Sequence, residues 1–313
     1  MEFSHVPVMP AQTIDALAVK EDSICLDGTT GYAGHAYEIA KRLGPAGRYY
    51  GFDRDGEALE AARLRLAKFG DRVRLFHENY ENAVRTLQQE QVAGADCILL
   101  DLGVSSPQLD NAERGFSYMQ DAPLDMRMDR RDTLTAADIV NTCPEEELIR
   151  IFRTYGEEKF AVPIARGIVR RREQHPLQTT FALNDVIYAA VPKKARVQGS
   201  HPSKRVFQAL RIACNRELDI LEGAIGDMLR FLKPGGRMAV ITFHSLEDRI
   251  VKQAFKTAEN PCTCPKSFPV CTCGKKPLGR VVNRKAVTAD EEERKQNPRA
   301  KSAKLRVFEK EGN

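Results

Sequence analysis

The chain has 313 residues, a formal net charge of +5 and 42% hydrophobic residues. This length allows one large domain or two modest ones, each able to bury an apolar core. No apolar run is long enough to span a bilayer and no secretory segment follows Met1, so we expect a soluble, cytoplasmic protein. Eight cysteines in so long an intracellular chain do not indicate a disulfide framework.

The first informative stretch, residues 24–35, is an apolar run that ends in Asp27 and continues through Gly28, Gly31 and Gly34. This pattern predicts a strand, a tight turn and the start of a helix, where a ligand can approach the main chain. The spacing differs from the dinucleotide fingerprint G-x-G-x-x-G. A carboxylate at position 27 repels phosphate but suits the ammonium and sulfonium charges of S-adenosylmethionine. A plain turn between strand and helix is the alternative.

The second apolar run, residues 49–53, ends in Asp53. An acid at the end of the second strand of a βαβ unit can accept hydrogen bonds from ribose hydroxyls. A nucleoside-bearing cofactor is therefore predicted, and an NAD-dependent oxidoreductase is the alternative within the same fold class.

The next elements continue the alternation of strand and helix. Asp55 is a predicted N-cap for a helix over 57–69, a third strand covers 73–76 before Tyr80, and a fourth covers 97–101. Alternating elements predict an α/β fold with a doubly wound, mostly parallel sheet. Ligands of such sheets bind beyond the carboxyl ends of the strands, where Asp27, Asp53, Tyr80 and Asp101 all fall.

After Asp101 the alternation stops. Residues 111–205 carry helical patterns without a convincing strand, which predicts an inserted helical subdomain for substrate recognition. The predicted division is 1–110 and 206–313 for one domain, with a Cys-rich basic loop at 260–285, and 111–205 for the insert. In the second part we predict one long helical stretch over 206–232, a turn at 233–236, a strand at 237–243, and closing strands at 281–282 and 305–308.

The loop of residues 101–108 follows the fourth strand, where a substrate would meet the cofactor. Its Ser105-Ser106-Pro107 resembles the Asp/Asn-Pro-Pro-aromatic loop of enzymes that methylate exocyclic amino groups. Such an amine is a poor nucleophile, and acceptors at its N–H groups, with alignment by the loop, favour attack. We therefore name Asp101, Ser105 and Pro107 as candidate catalytic residues. An ordinary linker between domains is the alternative.

Two further motifs leave alternatives open. After the fifth strand, Ser245 is predicted to cap the next helix, and His244 is left as a cap neighbour or a substrate contact. The pairs Cys262/Cys264 and Cys271/Cys273 suit tetrahedral zinc, but zinc sites usually use C-x-x-C spacing, so reduced or redox-labile thiols are an equal alternative and no metal ligand is assigned. The remaining cysteines are predicted to pack in the core.

Basic residues cluster in three segments. Residues 193–216 and 275–285 contain Lys and Arg but no acid, and Arg170, Arg171 and Arg172 are consecutive. Clustered cations attract phosphate backbones, whereas solvated surface is the alternative for any one cluster.

Long motifs run through nearly the whole chain and identify a resemblance. They are His5-Val6-Pro7-Val8, Asp27-Gly28-Thr29 with Gly34-His35, Asp53-Arg54-Asp55, the run 100–110, Arg114-Gly115-Phe116-Ser117, the run 123–128, the run 243–249 and Asn297-Pro298-Arg299-Ala300. The chain resembles the bacterial 16S ribosomal RNA cytosine-N4 methyltransferases, and its Cys-Thr-Cys loop is similar to that of many members.

This resemblance implies a class I S-adenosylmethionine-dependent methyltransferase fold, with the decoding-site cytosine of 16S rRNA in the 30S subunit as substrate. The implied cofactor-binding residues are Ala33, Gly34, His35, Asp53, Tyr80, Asp101 and Gln108. Ala33 stands where members usually have glycine, and Tyr32 adds bulk beside it. No membrane or DNA partner is expected, and a homodimer is left open. A ribosome-assembly factor that binds RNA without catalysis is the alternative from another class.

Overall fold

The computed structural model describes residues 7–197, 201–265, 270 and 272–312. The motif residues His5, Val6 and Cys271 lie outside this described part. The chain divides into two compact units, Met1–Gly103 with Leu218–Asn313, and Val104–Glu217. The sequence placed these boundaries after residues 110 and 205. The second unit extends further because the helix Ser203–Asn215 packs against the helix Glu145–Gly156. Substrate recognition by this unit stays a prediction.

The first unit is built on a seven-stranded sheet. Its strands are β1 Ile24–Asp27, β2 Arg48–Asp53, β3 Val73–His77, β4 Ala95–Asp101, β5 Leu232–Thr242, β6 Gly279–Val281 and β7 Lys304–Lys310. Their order in space is β3-β2-β1-β4-β5-β7-β6. The first five strands are parallel, and β7 runs antiparallel to both β5 and β6. The predicted doubly wound, mostly parallel sheet is confirmed.

Helices connect the strands and form the second unit. They are α1 Pro10–Leu17, α2 Gly34–Arg42, α3 Gly56–Leu66, α4 Ala83–Gln89, α5 Ser106–Asp110, α6 Ala136–Thr142, α7 Glu145–Gly156, α8 Ala161–Arg172, α9 Thr180–Ala190, α10 Lys193–Val197, α11 Ser203–Asn215, α12 Leu221–Phe231, α13 Ser245–Glu259 and α14 Glu291–Gln296. As predicted, Asp55 is the N-cap of α3, and its side chain accepts a hydrogen bond from Glu57 N at 3.0 Å.

The sheet of the first unit carries an apolar core on each face. Successive side chains of a strand point to opposite faces, and β4 follows this rule. Ile98 and Leu100 belong to one buried cluster, whereas Cys97 and Leu99 belong to the other. Burial on both faces explains why the parallel strands read as continuous apolar runs in the sequence.

The second unit is helical, as predicted. In its described residues, 104–197 and 201–217, the only pairing of β type is an isolated bridge between Pro123 and Thr179. Helix α7 packs against α8 and α11, and α8 packs against α9. A Cβ atom on Gly156 would lie 2.6 Å from the carbonyl oxygen of Arg205, so glycine permits the close approach of α7 and α11.

Two sequence predictions about the second half are wrong. The single helical stretch over 206–232 is divided into α11 and α12, because Arg216 adopts the left-handed conformation (φ 52°, ψ 31°) and ends α11. The predicted turn at 233–236 lies within β5, whose pairing with β4 shifts register there: Ala95 opposes Leu232, and Cys97 already opposes Arg237. Residues 233–236 of β5 thus oppose the single residue Asp96 of β4, which makes them an irregularity within the strand rather than a separate turn.

The isolated cysteines pack as predicted. Cys25, Cys97 and Cys214 are buried and Cys143 is half-buried, each as a free thiol. Across the described part of the chain, none of the helices combines the length and apolar character that crossing a membrane requires.

Candidate active site

The carboxyl ends of β1, β2 and β4 bring three acids to one edge of the sheet. Asp27 pairs with Gly51 on one side and with Leu99 on the other, so Asp53 and Asp101 each lie two residues beyond it along their strands. Asp27 is consequently the deep member, with 1% of its surface exposed, while Asp53 and Asp101 are half-buried at the rim. This edge is the topological switch point, since the chain proceeds from β1 to β2 on one side and returns to β4 on the other.

Asp27 holds the glycine-rich loop rather than facing open space. Its Oδ1 accepts a hydrogen bond from Thr29 N at 2.9 Å, and its Oδ2 accepts one from the Tyr49 hydroxyl at 2.7 Å. Burial raises the pKa of Asp27 to about 6, although both hydrogen bonds favour the ionised form. The sequence suggested that this carboxylate meets a cationic ligand, but in the structure its oxygens are engaged by the protein itself.

The loop after β1 is shaped for close approach. A Cβ atom on Gly28 would lie 2.5 Å from Leu100 Cδ2 and 2.9 Å from Tyr80 Cβ, so no larger residue fits there. Ala33 takes the left-handed conformation (φ 61°, ψ 36°), which favours glycine, and it precedes the first residue of α2. Ala33 makes no side-chain cap, and the N-terminus of α2, which follows the carboxyl end of β1 in the chain, carries the partial positive charge of the helix.

Asp53 connects the two loops that follow β1 and β2. Its Oδ2 accepts a hydrogen bond from Gly31 N at 2.7 Å, and its Oδ1 accepts one from Asp55 N at 2.8 Å. Burial raises the pKa of Asp53 to about 6 against these two backbone donors. Each carboxylate oxygen keeps a second lone pair, which a pair of ligand hydroxyls can use.

His35 and Asp101 form the second polar group of the site. The backbone N–H of Asp101 donates to Thr29 Oγ1 at 2.6 Å. The side-chain Oδ2 of Asp101 lies 3.5 Å from His35 Nε2. Among the described residues, both ring nitrogens of His35 and Oδ1 of Asp101 are buried without a hydrogen-bond partner. An unpaired buried polar group costs about 1–3 kcal/mol, so these atoms fit a polar ligand that would satisfy them.

Tyr80 lies at the end of β3, as its place in the sequence suggested. It begins a short 3-10 turn, is 7% exposed and packs in the same apolar cluster as Leu26 and Leu100. Its position beside Gly28 gives the site an aromatic wall.

Ser105, Pro107 and Gln108 belong to the second unit. Ser105 is the N-cap of α5, and Gln108 is its capping-box partner: Ser105 N donates to Gln108 Oε1 at 3.0 Å, and Gln108 N donates to Ser105 Oγ at 3.4 Å. Pro107 occupies the first turn, where its missing N–H is tolerated. The roles predicted for these residues in catalysis and cofactor binding stay predictions.

The prediction that Ser245 caps α13 is wrong, because the N-cap is His244. Its Nδ1 accepts a hydrogen bond from Glu247 N at 3.4 Å, while Glu247 Oε2 accepts one from Phe243 N at 2.7 Å. The ring Nε2 lies 3.0 Å from Glu247 Oε1. His244 is thus held by the helix that it begins, at the end of β5.

Sequence reasoning missed Tyr49, Thr29 and Glu247, which orient the acids and His244. A tyrosine inside a buried strand needs a partner for its hydroxyl, and this was the available signal for Tyr49. The choice of Asp27 as that partner depends on the pairing of β1 with β2, which the sequence alone does not state.

Some basic residues predicted to bind phosphate have structural partners. Arg172 donates to the carbonyl oxygens of Val140 and Cys143 at 2.9 and 2.7 Å and so satisfies acceptors at the C-terminus of α6. Arg211 pairs with Glu217 at 2.9 Å. Arg170 and Arg171, in contrast, are exposed.

Comparison with known proteins places these features in context. The model of the MraW methylase family matches residues 2–311. The "Ribosomal RNA small subunit methyltransferase H 2" of Agathobacter rectalis is 55% identical over 311 residues, which cover 99% of each chain. The "Ribosomal RNA small subunit methyltransferase H" of Lachnospira eligens is 54% identical over 99% of this chain and 98% of its own. The protein of that name from Acetivibrio thermocellus is 54% identical over 99% and 100%.

Proposed function

Because the chain belongs to the MraW methylase family, we propose that it transfers a methyl group from S-adenosylmethionine to the N4 atom of the decoding-site cytosine of 16S rRNA, position 1402 in conventional rRNA numbering. The fold agrees with this assignment, since the mostly parallel, seven-stranded sheet is that of the class I methyltransferase fold that the sequence predicted, and a helical unit lies between β4 and β5 in the chain. The names of the relatives support small-subunit rRNA as the substrate. The choice of cytosine and of N4 rests on the sequence resemblance.

The cofactor would be held at the ends of β1, β2 and β4. The free lone pairs of Asp53 suit the two ribose hydroxyls, and Tyr80 supplies an apolar surface for the adenine. The loop through Ala33, Gly34 and His35 would contact the cofactor with its backbone and with the imidazole. When bound, S-adenosylmethionine supplies an electrophilic methyl group attached to a sulfonium.

The protein's contribution to the chemistry is the positioning of a weak nucleophile. The lone pair of an exocyclic amine is drawn into the ring, so an acceptor at its N–H restores nucleophilic character at nitrogen. We assign this role to Asp101, whose buried Oδ1 has no protein partner within the described residues. The cytosine must leave its stack to reach this edge of the sheet. Ser105, Pro107 and Gln108 are assigned to base and cofactor positioning on the resemblance alone.

The substrate class also assigns the partner and the compartment. Ribosomal RNA offers a dense array of phosphates, and exposed cations such as Arg170, Arg171, Lys275 and Lys276 suit it. We propose the 30S subunit as the partner and the cytoplasm as the site of action, because small subunits are assembled there.

The structural observation that most supports the proposal is the group of buried polar atoms at the switch point, His35 Nδ1 and Nε2 and Asp101 Oδ1, which have no hydrogen-bond partner among the described residues. The test measures transfer of labelled methyl from S-adenosylmethionine to 30S subunits, and to naked 16S rRNA, prepared from cells that lack the protein. We expect wild-type protein to label one cytosine, and Asp53→Ala to lose roughly 10- to 100-fold at limiting cofactor, the equivalent of about 1.5–3 kcal/mol of charge-assisted hydrogen bonding.

Asp71→Ala is the matched control, since Asp71 is exposed and precedes the amino end of β3, whereas the site lies at the carboxyl ends of the strands. Its activity should equal that of the wild type. Full activity of Asp53→Ala, or absence of labelling by the wild type on both substrates, would reject the assignment and favour the assembly factor that does not catalyse.

A further inference from the structure

The loop between α13 and β6 brings three thiols together. The Sγ atoms of Cys262, Cys264 and Cys273 all lie within 4.8 Å of one another. They come from two Cys-Thr-Cys segments, and Cys273 lies nine positions after Cys264 and eleven after Cys262, so local sequence does not force this convergence. We propose that these three thiolates bind one Zn²⁺ ion.

The spacing of the sulfur atoms suits that ion. Tetrahedral zinc binds thiolate at about 2.3 Å, which places two ligating sulfurs about 3.8 Å apart. The three Sγ atoms lie within 4.8 Å of one another, so a contraction of about 1 Å or less brings them to the separations of three ligands of a tetrahedron and leaves the fourth position for a further ligand. Thiolate is the soft ligand that zinc prefers over the hard cations Mg²⁺ and Ca²⁺.

Hydrogen bonding around Cys264 fixes the position of its sulfur. The backbone N–H of Thr272 donates to Cys264 Sγ at 3.3 Å, and the hydroxyl of Thr272 lies 3.6 Å from the same sulfur. An N–H donor stabilises the negative charge on a ligating sulfur and orients it, as outer-shell partners of metal sites do. The contact also joins the second Cys-Thr-Cys segment to the first.

The charge of the loop complements an anionic centre. Three thiolates and one Zn²⁺ carry a net charge of −1. Residues 261–285 contain no Asp or Glu, and Lys275 and Lys276 follow Cys273 after a single glycine, Gly274. These exposed lysines stabilise the centre by unlike charge, more strongly at low ionic strength.

None of the described residues of the loop, 261–265, 270 and 272–277, is buried, so they supply no apolar core that would hold the loop closed. Cys262 and Lys275 are exposed, and the side chain of Val270 is 71% exposed. Two hydrogen bonds hold the ends of the loop together: Leu278 N donates to Ala258 O at 2.9 Å, and Val281 N donates to the side-chain Oε1 of Glu259 at 2.9 Å. A metal ion bound by both segments would close the interior of the loop, as structural zinc does in small domains that lack a core. Cys271 lies outside the described residues and is not part of the assigned site.

Metal content of the full-length chain tests the proposal. The protein is produced in zinc-supplemented medium without a histidine tag, kept reduced, and analysed for metal by mass spectrometry. We expect about one zinc per chain for the wild type and less than about one tenth for the triple variant C262S/C264S/C273S. The matched control is Cys143→Ser, because Cys143 lies in the other unit and should leave the zinc content unchanged.

Two further measurements keep the test decisive if the triple variant folds poorly. Replacement of zinc by Co²⁺ in the wild type should give thiolate-to-metal charge-transfer absorption, which Cys262→Ser alone should weaken. Trypsin should cut after Lys275 several-fold faster in chelator-treated protein, and added Zn²⁺ should restore protection. Wild-type protein that carries no zinc when reduced, a disulfide mapped between these cysteines in its place, or unchanged zinc in the triple variant would overturn the proposal.

Discussion

The hydrogen bond from the Tyr49 hydroxyl to Asp27 provides a sharp test of how the deep acid organises the site. Tyr49→Phe removes only the hydroxyl, which donates to Asp27 Oδ2 at 2.7 Å, and leaves the buried ring in place. A buried hydrogen bond to a charged acceptor contributes about 1.5–3 kcal/mol, and one between neutral groups contributes about 1 kcal/mol. We therefore expect the variant to lose about 2 kcal/mol of unfolding free energy where Asp27 is ionised, and about half of that where it is protonated.

The pH dependence follows from the direction of the shift. Burial raises the pKa of Asp27 in the folded protein from 3.8 to about 6. The folded state therefore binds the proton of Asp27 more tightly than the unfolded state does. The free energy of unfolding gained from this tighter binding is fully present below pH 4 and is lost as the pH rises through 6. A shift of this size corresponds to about 3 kcal/mol between those limits. Because the Tyr49 hydroxyl favours the ionised form, Tyr49→Phe should steepen the loss of stability between pH 5 and pH 8.

Urea unfolding followed by circular dichroism at pH 5 and pH 8 measures both effects. Tyr50→Phe is the control, since Tyr50 is the next residue of β2, is also buried, and points to the opposite face of the sheet. It should cost the same small amount at both pH values. Equal losses for Tyr49→Phe at the two pH values, or a larger loss at pH 5, would refute the reasoning about Asp27.

Two further predictions concern the loop after β1 and the basic insert. Gly28→Ala should lower the unfolding free energy by about 1–3 kcal/mol, because its Cβ would lie 2.5 Å from a side chain of β4, and it should weaken cofactor binding in calorimetry. Gly223 lies in α12, and a Cβ atom added there would meet no neighbouring atom within 4 Å. Gly223→Ala should therefore raise the unfolding free energy by about 0.5–1 kcal/mol. The double change of the exposed Arg170 and Arg171 to Ala should weaken binding to 16S rRNA and reduce its salt slope by about 1–2 without changing Tm. Arg172→Ala should lower Tm, since it removes the donors that bond to carbonyl oxygens at the end of α6. Filter binding and thermal melting measure both effects. A lower Tm for the double variant, or weaker RNA binding with an unchanged Tm for Arg172→Ala, would contradict these assignments.

The sequence predicted the arrangement of the sheet edge well because strand ends are marked by residue type. Asp27, Asp53 and Asp101 each follow an apolar run, and parallel strands bring their carboxyl ends together whatever the details of register. The predicted N-cap at Asp55 also needed only local chemistry.

Other features depended on contacts between distant residues. Whether Asp27 faces a ligand or Tyr49 is decided by the pairing of β1 with β2, which no local pattern encodes. The cap of α13 falls on His244 rather than Ser245 because Glu247 accepts from the end of β5, a geometry that two adjacent polar residues leave undecided. The end of α11 at Arg216 has no glycine or proline to mark it, so the apolar periodicity continued unbroken into α12.

The most direct test of the central claim is the modification state of 16S rRNA in cells. Mass spectrometry of the fragment that contains cytosine 1402 compares cells lacking the protein with the same cells supplied with wild-type or Asp101→Ala protein at equal abundance. The account predicts that N4 methylation disappears in the deletion, returns with the wild type and stays absent with Asp101→Ala. Methylation that persists in the deletion, or that Asp101→Ala restores fully, would contradict it.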